Sequence, residues 1–537
     1  MHSSIFLIGV LVSIALYLIV GLLAGRKVKN VNDYYVSGRS QPTLLIAGTL
    51  FASMLSVSGF TGDQGFCYSG NVTTLVLLNS MCSVGYVLGP LIFGRYLRRS
   101  KCSTMPEYFG ARFHDFRNRR VAAVITVISL TAYLLASITG VGILMQELTG
   151  LSYNFCLFLA WFCFTFFTFY SGSNGVVITD TMMFLVFLLG TLIAGPYIFN
   201  AQGGLNHLVE NLMNNPNAPR DILSYHGNVA GAGATNVFGA VMYAVTMGFV
   251  WMITVSVSPW QAGRNLLAKS EHTTFRAGAI AAICTVVFLT YLNLQSVSVI
   301  NINPDLEDPQ RVLIWASFHV VPKIVGTLVL AGIMAAGLSS ASTFLSVVGF
   351  SITSDIVPHE FKSEKQQLRV SRIVMLVYGL VSLVLAYLGL GSVRVISWFA
   401  STIIAASWAV PGIGSIVSKK LSATGARWSM IAGFTAFLGA KILVAFGIGT
   451  NVLINFLDPF FIGLLFSLLF AVIGTKLHPA TETEIKYREN LMKLPKEEAS
   501  RKEYRRDRVY GNILIVTGIA VTLFLLFGWA LPYNGWI

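Results

Sequence analysis

Residues 50–66 read LFASMLSVSGFTGDQGF, an apolar run that changes character at Ser56. From there Ser56, Ser58, Gly59, Thr61, Gly62, Asp63, Gln64 and Gly65 crowd into ten positions. Glycines and hydroxyls lower helix propensity and let the chain unwind, which frees backbone carbonyls for an ion and exposes half-helix ends to a solute. A Gly/Ser stripe for close helix packing is the plainer alternative. So many polar groups at membrane depth favour a broken helix, because such groups are functional by default.

That reading needs a membrane protein around it, and the rest of the chain supplies one. Its 537 residues are 55% hydrophobic and 11% charged, with a mean hydropathy of +0.69; a water-soluble domain has about 25% charged residues. An ordinary soluble enzyme is excluded. A window of about 19 residues gives fourteen candidate spans, from 5–25 to 513–531, with the fifth and sixth at 154–170 and 175–199. They are read as α-helices, since lipid leaves the backbone no partner outside a helix or a closed barrel and these runs lack the alternation of barrel strands. The first run has no charged leader or small-residue cleavage site and is expected to stay as a span.

Charge placement orients the chain. Lys+Arg 37 against Asp+Glu 23 gives a net +14. Arg26, Lys27, Lys29 and Arg39 follow the first span, and Arg95, Arg98, Arg99 and Lys101 follow the third. The rule that basic loops stay inside puts both termini outside an inner (plasma) membrane. The excess charge therefore records topology, and nucleic acid drops out as a partner. The mixed-sign stretch 475–510 is expected to be a solvated cytoplasmic connector rather than a site for a partner or anionic lipid. Six cysteines without C-x-x-C spacing indicate neither zinc nor a disulfide framework. The longest hydrophilic stretches, 201–236 and 475–510, hold no catalytic domain, and the spans contain no H-E-x-x-H, G-x-S-x-G or paired carboxylates. Transport, not catalysis, is the default.

Two further segments carry chemistry. In the ninth span, LAGIMAAGLSSASTFLSVVGFSITSD, the hydroxyls of Ser339, Ser340, Ser342 and Thr343 lie within about one helical turn, just after Ala335 and Ala336. Clustered oxygens are the ligands a small hard cation needs; back-bonding to the helix would account for one or two of them. The sixth span begins SNGVVITDTMMF and sets Asp180 in an apolar stretch. A carboxylate there costs about 2.5–3.5 kcal/mol at the bilayer centre, so it faces a cavity, a cation or donors, or else lies near a hydrated end. Lys441 is expected to snorkel.

These segments together resemble the sodium:solute symporter family. The motif DYYVSGRS after the first span, TMPEYFGARF before the fourth, SPWQAGRNLLAKSEH after the seventh, AAGLSSAST in the ninth and VITD in the sixth occur in the family's order and spacing. The resemblance implies an all-α polytopic membrane protein with a leucine-transporter-type core of two inverted five-helix repeats and about 14 transmembrane helices. The segments would be a leading helix and linker (1–42), a first repeat (43–199), an external loop (200–236), a second repeat (237–418) and three accessory helices (419–537). It also implies sodium as coupling ion, held by the carbonyls of Met54, Val57 and Ala336 and the hydroxyls of Ser339 and Ser340. A second sodium site, present in only some members, would fall on Asp180, Ser339, Ser342 and Thr343. The solute pocket would be lined by Ser58, Thr61, Asn79, Trp251, Thr254, Trp398 and Ser401.

The chain also departs from the family pattern. Ser56 stands where proline-carrying members have an Asp, and Asp63 and Gln64 have no matching pair. Trp251 replaces the polar residue of sugar-carrying members, and the fourth span has no Arg before Met145. A small organic acid or amino acid is the expected solute, with the lipid bilayer as surroundings and no obligate protein partner. The alternatives are a proton-coupled or uncoupled permease, with Asp63 and Asp180 as relays, and a transporter-like sensor.

Overall fold

In a computed structural model of the full chain, the described residues are 4–26, 30–219, 221–225, 233–356, 361–389 and 391–530. Their regular secondary structure is helical, apart from one parallel bridge between Gln41 and Ala268. There the Gln41 N–H donates to Leu267 O at 3.1 Å and Lys269 N–H to Gln41 O at 3.0 Å, clipping the linker after the first span to the connector after the seventh.

The first half of the chain comprises α1 (Ser4–Gly25), α2 (Val31–Val36), α3 (Thr43–Phe60), α4 (Gly62–Phe66), α5 (Val72–Gly89), α6 (Arg95–Ser100), α7 (Met105–Phe113), α8 (Phe116–Thr149) and α9 (Tyr153–Ala201). After α10 (Leu208–Asn214) come α11 (Val237–Val257), α12 (Glu271–Ile302), α13 (Val312–His319), α14 (Lys323–Ser351), α15 (Glu364–Ala386) and α16 (Val393–Val417). The chain closes with α17 (Ala423–Ala445), α18 (Thr450–Asn455), α19 (Pro459–Leu477), α20 (Glu482–Met492) and α21 (Arg501–Leu525). Most long helices start on a side-chain cap that satisfies an otherwise orphaned N–H: Asn236 accepts from Gly239 N at 2.8 Å, Ser270 from Thr273 N at 3.2 Å and Ser422 from Gly425 N at 3.1 Å.

Thirteen helices are long and apolar enough to cross a membrane among the described residues. The expected fifth and sixth spans run together as the single 49-residue helix α9. The Ser-Gly-Ser-Asn stretch between them lacks proline, and each of its residues costs a helix only about 0.5–1 kcal/mol. The core lies where α3, α8, α14 and α16 meet: α3 is buried from Ile46 to Phe60, and α14 buries almost every residue from Val329 to Ser351. At the periphery α1, α15, α19 and α21 present large apolar side chains outward, such as Leu380, Leu465 and Val516. In hydrocarbon that exposure carries no penalty.

Residues 475–510 are mostly exposed, as expected of a solvated connector, but part of the stretch docks on the helix bundle. Arg488 donates to the Ile416 and Val417 carbonyls at 2.6 and 3.4 Å, and Arg112 to those of Ser415 and Glu484 at 2.7 and 3.1 Å. Arg99 pairs with Glu271 at 2.6 Å and donates to Leu491 O at 2.8 Å. Arg276 holds Glu503 and Asp507 at 2.5 and 2.7 Å. Arg488 of this strap, together with Arg112 of α7, caps C-terminal carbonyls of α16, groups that a helix end otherwise leaves unsatisfied.

Candidate ion and solute site

The helix of the second span breaks at Ser56, the first residue of the polar cluster. Ser56 adopts φ 39°, ψ 172°, a region almost closed to residues with a Cβ. Its Oγ accepts from the Ser58 N–H at 3.1 Å, which satisfies one donor freed by the break. The Val57 carbonyl accepts from both the N–H and the hydroxyl of Thr61, at 2.9 and 3.0 Å, and helix resumes at Gly62 as α4. Gly140 of α8 lets Val57 approach: a Cβ there would lie 2.6 Å from the Val57 side chain.

Facing the break, α14 carries the clustered hydroxyls, all buried. Ser340 Oγ has no hydrogen-bond partner among the described residues although it is 0% exposed. A buried hydroxyl left without a partner is costly, and an ion among Met54, Val57, Ala336 and Ser340 would relieve that cost. Ser339 turns the other way and donates to Asp180 Oδ1 at 2.6 Å. Ser342 donates to Ser339 O at 2.8 Å, the local back-bond that competes with ligand duty.

Asp180, on α9, is fully buried and already has a cation. Its Oδ2 accepts from Thr49 at 2.6 Å and lies 3.3 Å from Arg264 Nη2, which also donates to the Thr343 hydroxyl. Of the residues expected to hold a second sodium, Asp180, Ser339 and Thr343 are thus linked around a guanidinium, while the Ser342 hydroxyl stays on its own helix. The stretch SPWQAGRNLLAKSEH, expected to be a connector, folds back far enough to bury Arg264 to 6% exposure.

Six of the seven expected solute-pocket residues sit where α3, α8, α11 and α16 converge. Ser58 Oγ is 2.8 Å from Ser397 Oγ, Thr254 donates to Ser401 O at 3.2 Å, and Ser401 to Trp398 O at 2.9 Å. Trp251 faces Tyr133 of α8 edge-on with ring centroids 6.5 Å apart. Trp251 Nε1 and Tyr133 Oη are both buried without a hydrogen-bond partner among the described residues, so this region holds two unused donors. Asn79, on α5, is buried but makes no hydrogen bond to the other six among the described residues. Trp398 donates through Nε1 to Asp63 at 3.0 Å, while Gln64 donates to Gly59 O at 3.0 Å and accepts from Ser296 at 2.9 Å.

Sequence reasoning missed Tyr133, Arg264, Arg394 and Ser397. A polar ring in the middle of an apolar span was the available signal for Tyr133; the others depend on contacts between distant segments.

The model of the sodium:solute symporter family matches residues 34–433 of this chain. The sodium/pantothenate symporter of Escherichia coli (strain K12) is 24% identical over 459 residues, covering 83% of this chain and 90% of its own. The sodium/proline symporter of Salmonella typhimurium is 23% identical over 480 residues, covering 85% and 91%. Among solved structures, a substrate-bound outward-open Na+-coupled sialic acid symporter superposes with a TM-score of 0.72 at 18% identity, over 90% of this chain and all (100%) of the other. Mhp1, a nucleobase-cation-symport-1 family transporter in a closed conformation, gives a TM-score of 0.53 at 14% identity, over 85% and 98%. These structural likenesses are of fold.

Proposed function

Because the chain belongs to the sodium:solute symporter family, we propose that it is a sodium-coupled secondary active symporter that imports a small organic acid or amino acid by alternating access. Its working position is the inner (plasma) membrane, with both termini outside and the strap of 475–510 on the cytoplasmic face. Sodium is held between the break in α3 and the hydroxyls of α14, by the carbonyls of Met54, Val57 and Ala336 and the hydroxyl of Ser340, with Ser339 as the fifth ligand through the oxygen lone pairs left free while its hydroxyl donates to Asp180. Neither serine titrates in the working range, which favours sodium over a proton. The observation that carries the reading is the partnerless, fully buried Ser340 hydroxyl opposite a helix broken at Ser56.

The test is uptake of labelled small acids and amino acids into proteoliposomes, with sodium or choline outside. The expected result is accumulation with sodium only. Ser340→Ala should raise the half-saturating sodium concentration about tenfold, the scale of one hydrogen-bonding group lost to a charge, with the protein still folded. Unchanged sodium dependence in that variant would refute the assigned site.

A second reading concerns stoichiometry. The guanidinium of Arg264 beside Asp180 and Thr343 supports coupling to one sodium ion, with Arg264 as the resident cation of that cluster. Two-ion coupling through Asp180, Ser339, Ser342 and Thr343 needs the guanidinium to leave first.

A further inference from the structure

Asp63, which the family pattern leaves without a role, faces a second charge across a single indole. Its Oδ1 takes the Trp398 Nε1–H at 3.0 Å, and among the described residues it has no other hydrogen bond and no ion pair. A carboxylate offers about four acceptor positions, so most of its capacity is unused. Arg394, one turn before Trp398 on α16, stacks its guanidinium 3.9 Å from the Phe66 ring centroid and 4.9 Å from that of Trp398. Its recorded hydrogen bond is to Tyr243 Oη at 3.1 Å; a guanidinium has about five N–H donors. Tyr243 in turn stacks on Trp398, with centroids 6.0 Å apart and planes at 24°.

The two charges are held on rigid backbone. A Cβ at Gly62 would lie 2.9 Å from Arg394 N, so the start of α4 and the start of α16 touch directly. Both side chains remain partly exposed, yet they do not collapse into an ion pair. Asp63 meets the Nε1 edge of the Trp398 indole and Arg394 lies over its face. Each charge is therefore half-solvated in a low-dielectric setting, which is costly until a complementary charge arrives.

We propose that Asp63 and Arg394 are the charge-selecting end of the solute site, and that the solute is a zwitterion carrying an ammonium group and a carboxylate. The inference rests on the symport reading and narrows its solute class. The solute ammonium meets the free oxygen of Asp63, its carboxylate meets the free N–H edge of Arg394, and its carbon skeleton lies against Trp398. A plain monocarboxylate is rejected because Asp63 repels it, and a plain amine because Arg394 does; discrimination by an opposing charge is as effective as attraction.

The experiment is equilibrium binding to the purified full-length protein in sodium. It uses alanine, β-alanine and γ-aminobutyrate against propionate and butyrate, which lack only the amine, and against propylamine. At least one zwitterion should bind about tenfold or more tightly than its deaminated counterpart. Asp63→Asn should erase that ratio while sparing the acid, Arg394→Gln should weaken both, and Arg394→Lys should recover part. Equal binding of zwitterion and acid to the wild type, an unchanged ratio in Asp63→Asn, or no binding by any zwitterion overturns the proposal. Where Asp63→Asn does not fold, the wild-type ratio and Arg394→Gln decide alone. An acid accumulated on a sodium gradient with no preference for its amino counterpart would overturn this inference and leave symport standing. Zwitterion binding that is identical in sodium and choline would do the reverse.

Discussion

Removing the Asp180 carboxylate leaves the Arg264 guanidinium buried with only Thr343 to satisfy it. Breaking a buried pair from one side typically costs about 3–5 kcal/mol, whereas removing both charges costs far less. Asp180→Asn should therefore destabilise the protein by about that amount, and Asp180→Asn combined with Arg264→Gln should recover more than half. Unfolding of detergent-purified variants measures it; a double variant as unstable as the single would mean that the two groups are not energetically coupled. Asp180 was legible in the sequence because a lone carboxylate in an apolar run demands an explanation. Arg264 was not: it lies 84 positions away, in a stretch whose Pro, Gly and charges read as a surface connector. Burial of that segment arises from tertiary packing, which local pattern does not encode. Tyr133 stayed hidden for a related reason, since a tyrosine in a span reads as packing until its hydroxyl is seen to lack a partner.

At the scale of elements, the broken helix was readable because its cause is local: the polar cluster and the backbone strain at Ser56 occupy the same few residues. Its support is not local. Gly140 on α8 gives Val57 its room, and a methyl group there would meet Val57 Cγ1 at 2.6 Å. Valine is stiff at χ1, so the strain of Gly140→Ala should pass to the Val57 backbone. The expected result is weaker sodium dependence of uptake, partly restored by adding Val57→Ala; unaltered sodium dependence in Gly140→Ala would detach Val57 from the ion path. The strap of 475–510 was read only in part, because most of its charges are solvated as their alternation suggests, and only its docking onto α16 and α7 reveals Arg488 as a carbonyl cap. Burial beside α7 and the charge on Glu107 push the Cys102 thiol, which meets Tyr487 of the strap, up to about 12 from its ordinary 9.0. In a variant keeping only this cysteine, maleimide labelling at pH 8 should be slow, because the thiol is covered and protonated. Arg488→Ala should loosen α20, let the thiol pKa fall back toward its ordinary value and speed labelling, most strongly between pH 8 and 9. Equal rates with and without Arg488 would show that the strap does not cover Cys102.

For the whole molecule, the charge moved per cycle ties the ion site to the solute site. One sodium with a monocarboxylate moves no net charge; one sodium with a zwitterion moves one; two sodium ions with a zwitterion move two. A single charge crossing 100 mV is worth about 2.3 kcal/mol, which is about fiftyfold in the limiting accumulation ratio. If Arg264 holds the place of a second ion and Asp63 with Arg394 selects a zwitterion, transport should be electrogenic with one charge per solute. The reversal potential in proteoliposomes separates the cases, because its dependence on the solute ratio scales inversely with net charge. A tenfold change in solute ratio should shift it by about 59 mV for one charge and about 30 mV for two, while a monocarboxylate coupled to a single sodium ion would show no reversal potential at all. A shift of about 59 mV per tenfold would also exclude a second sodium at Asp180 for a zwitterionic solute. A shift of about 30 mV would mean that Arg264 vacates the Asp180 cluster during transport, so the guanidinium would be a moving part of the cycle rather than a fixed cation.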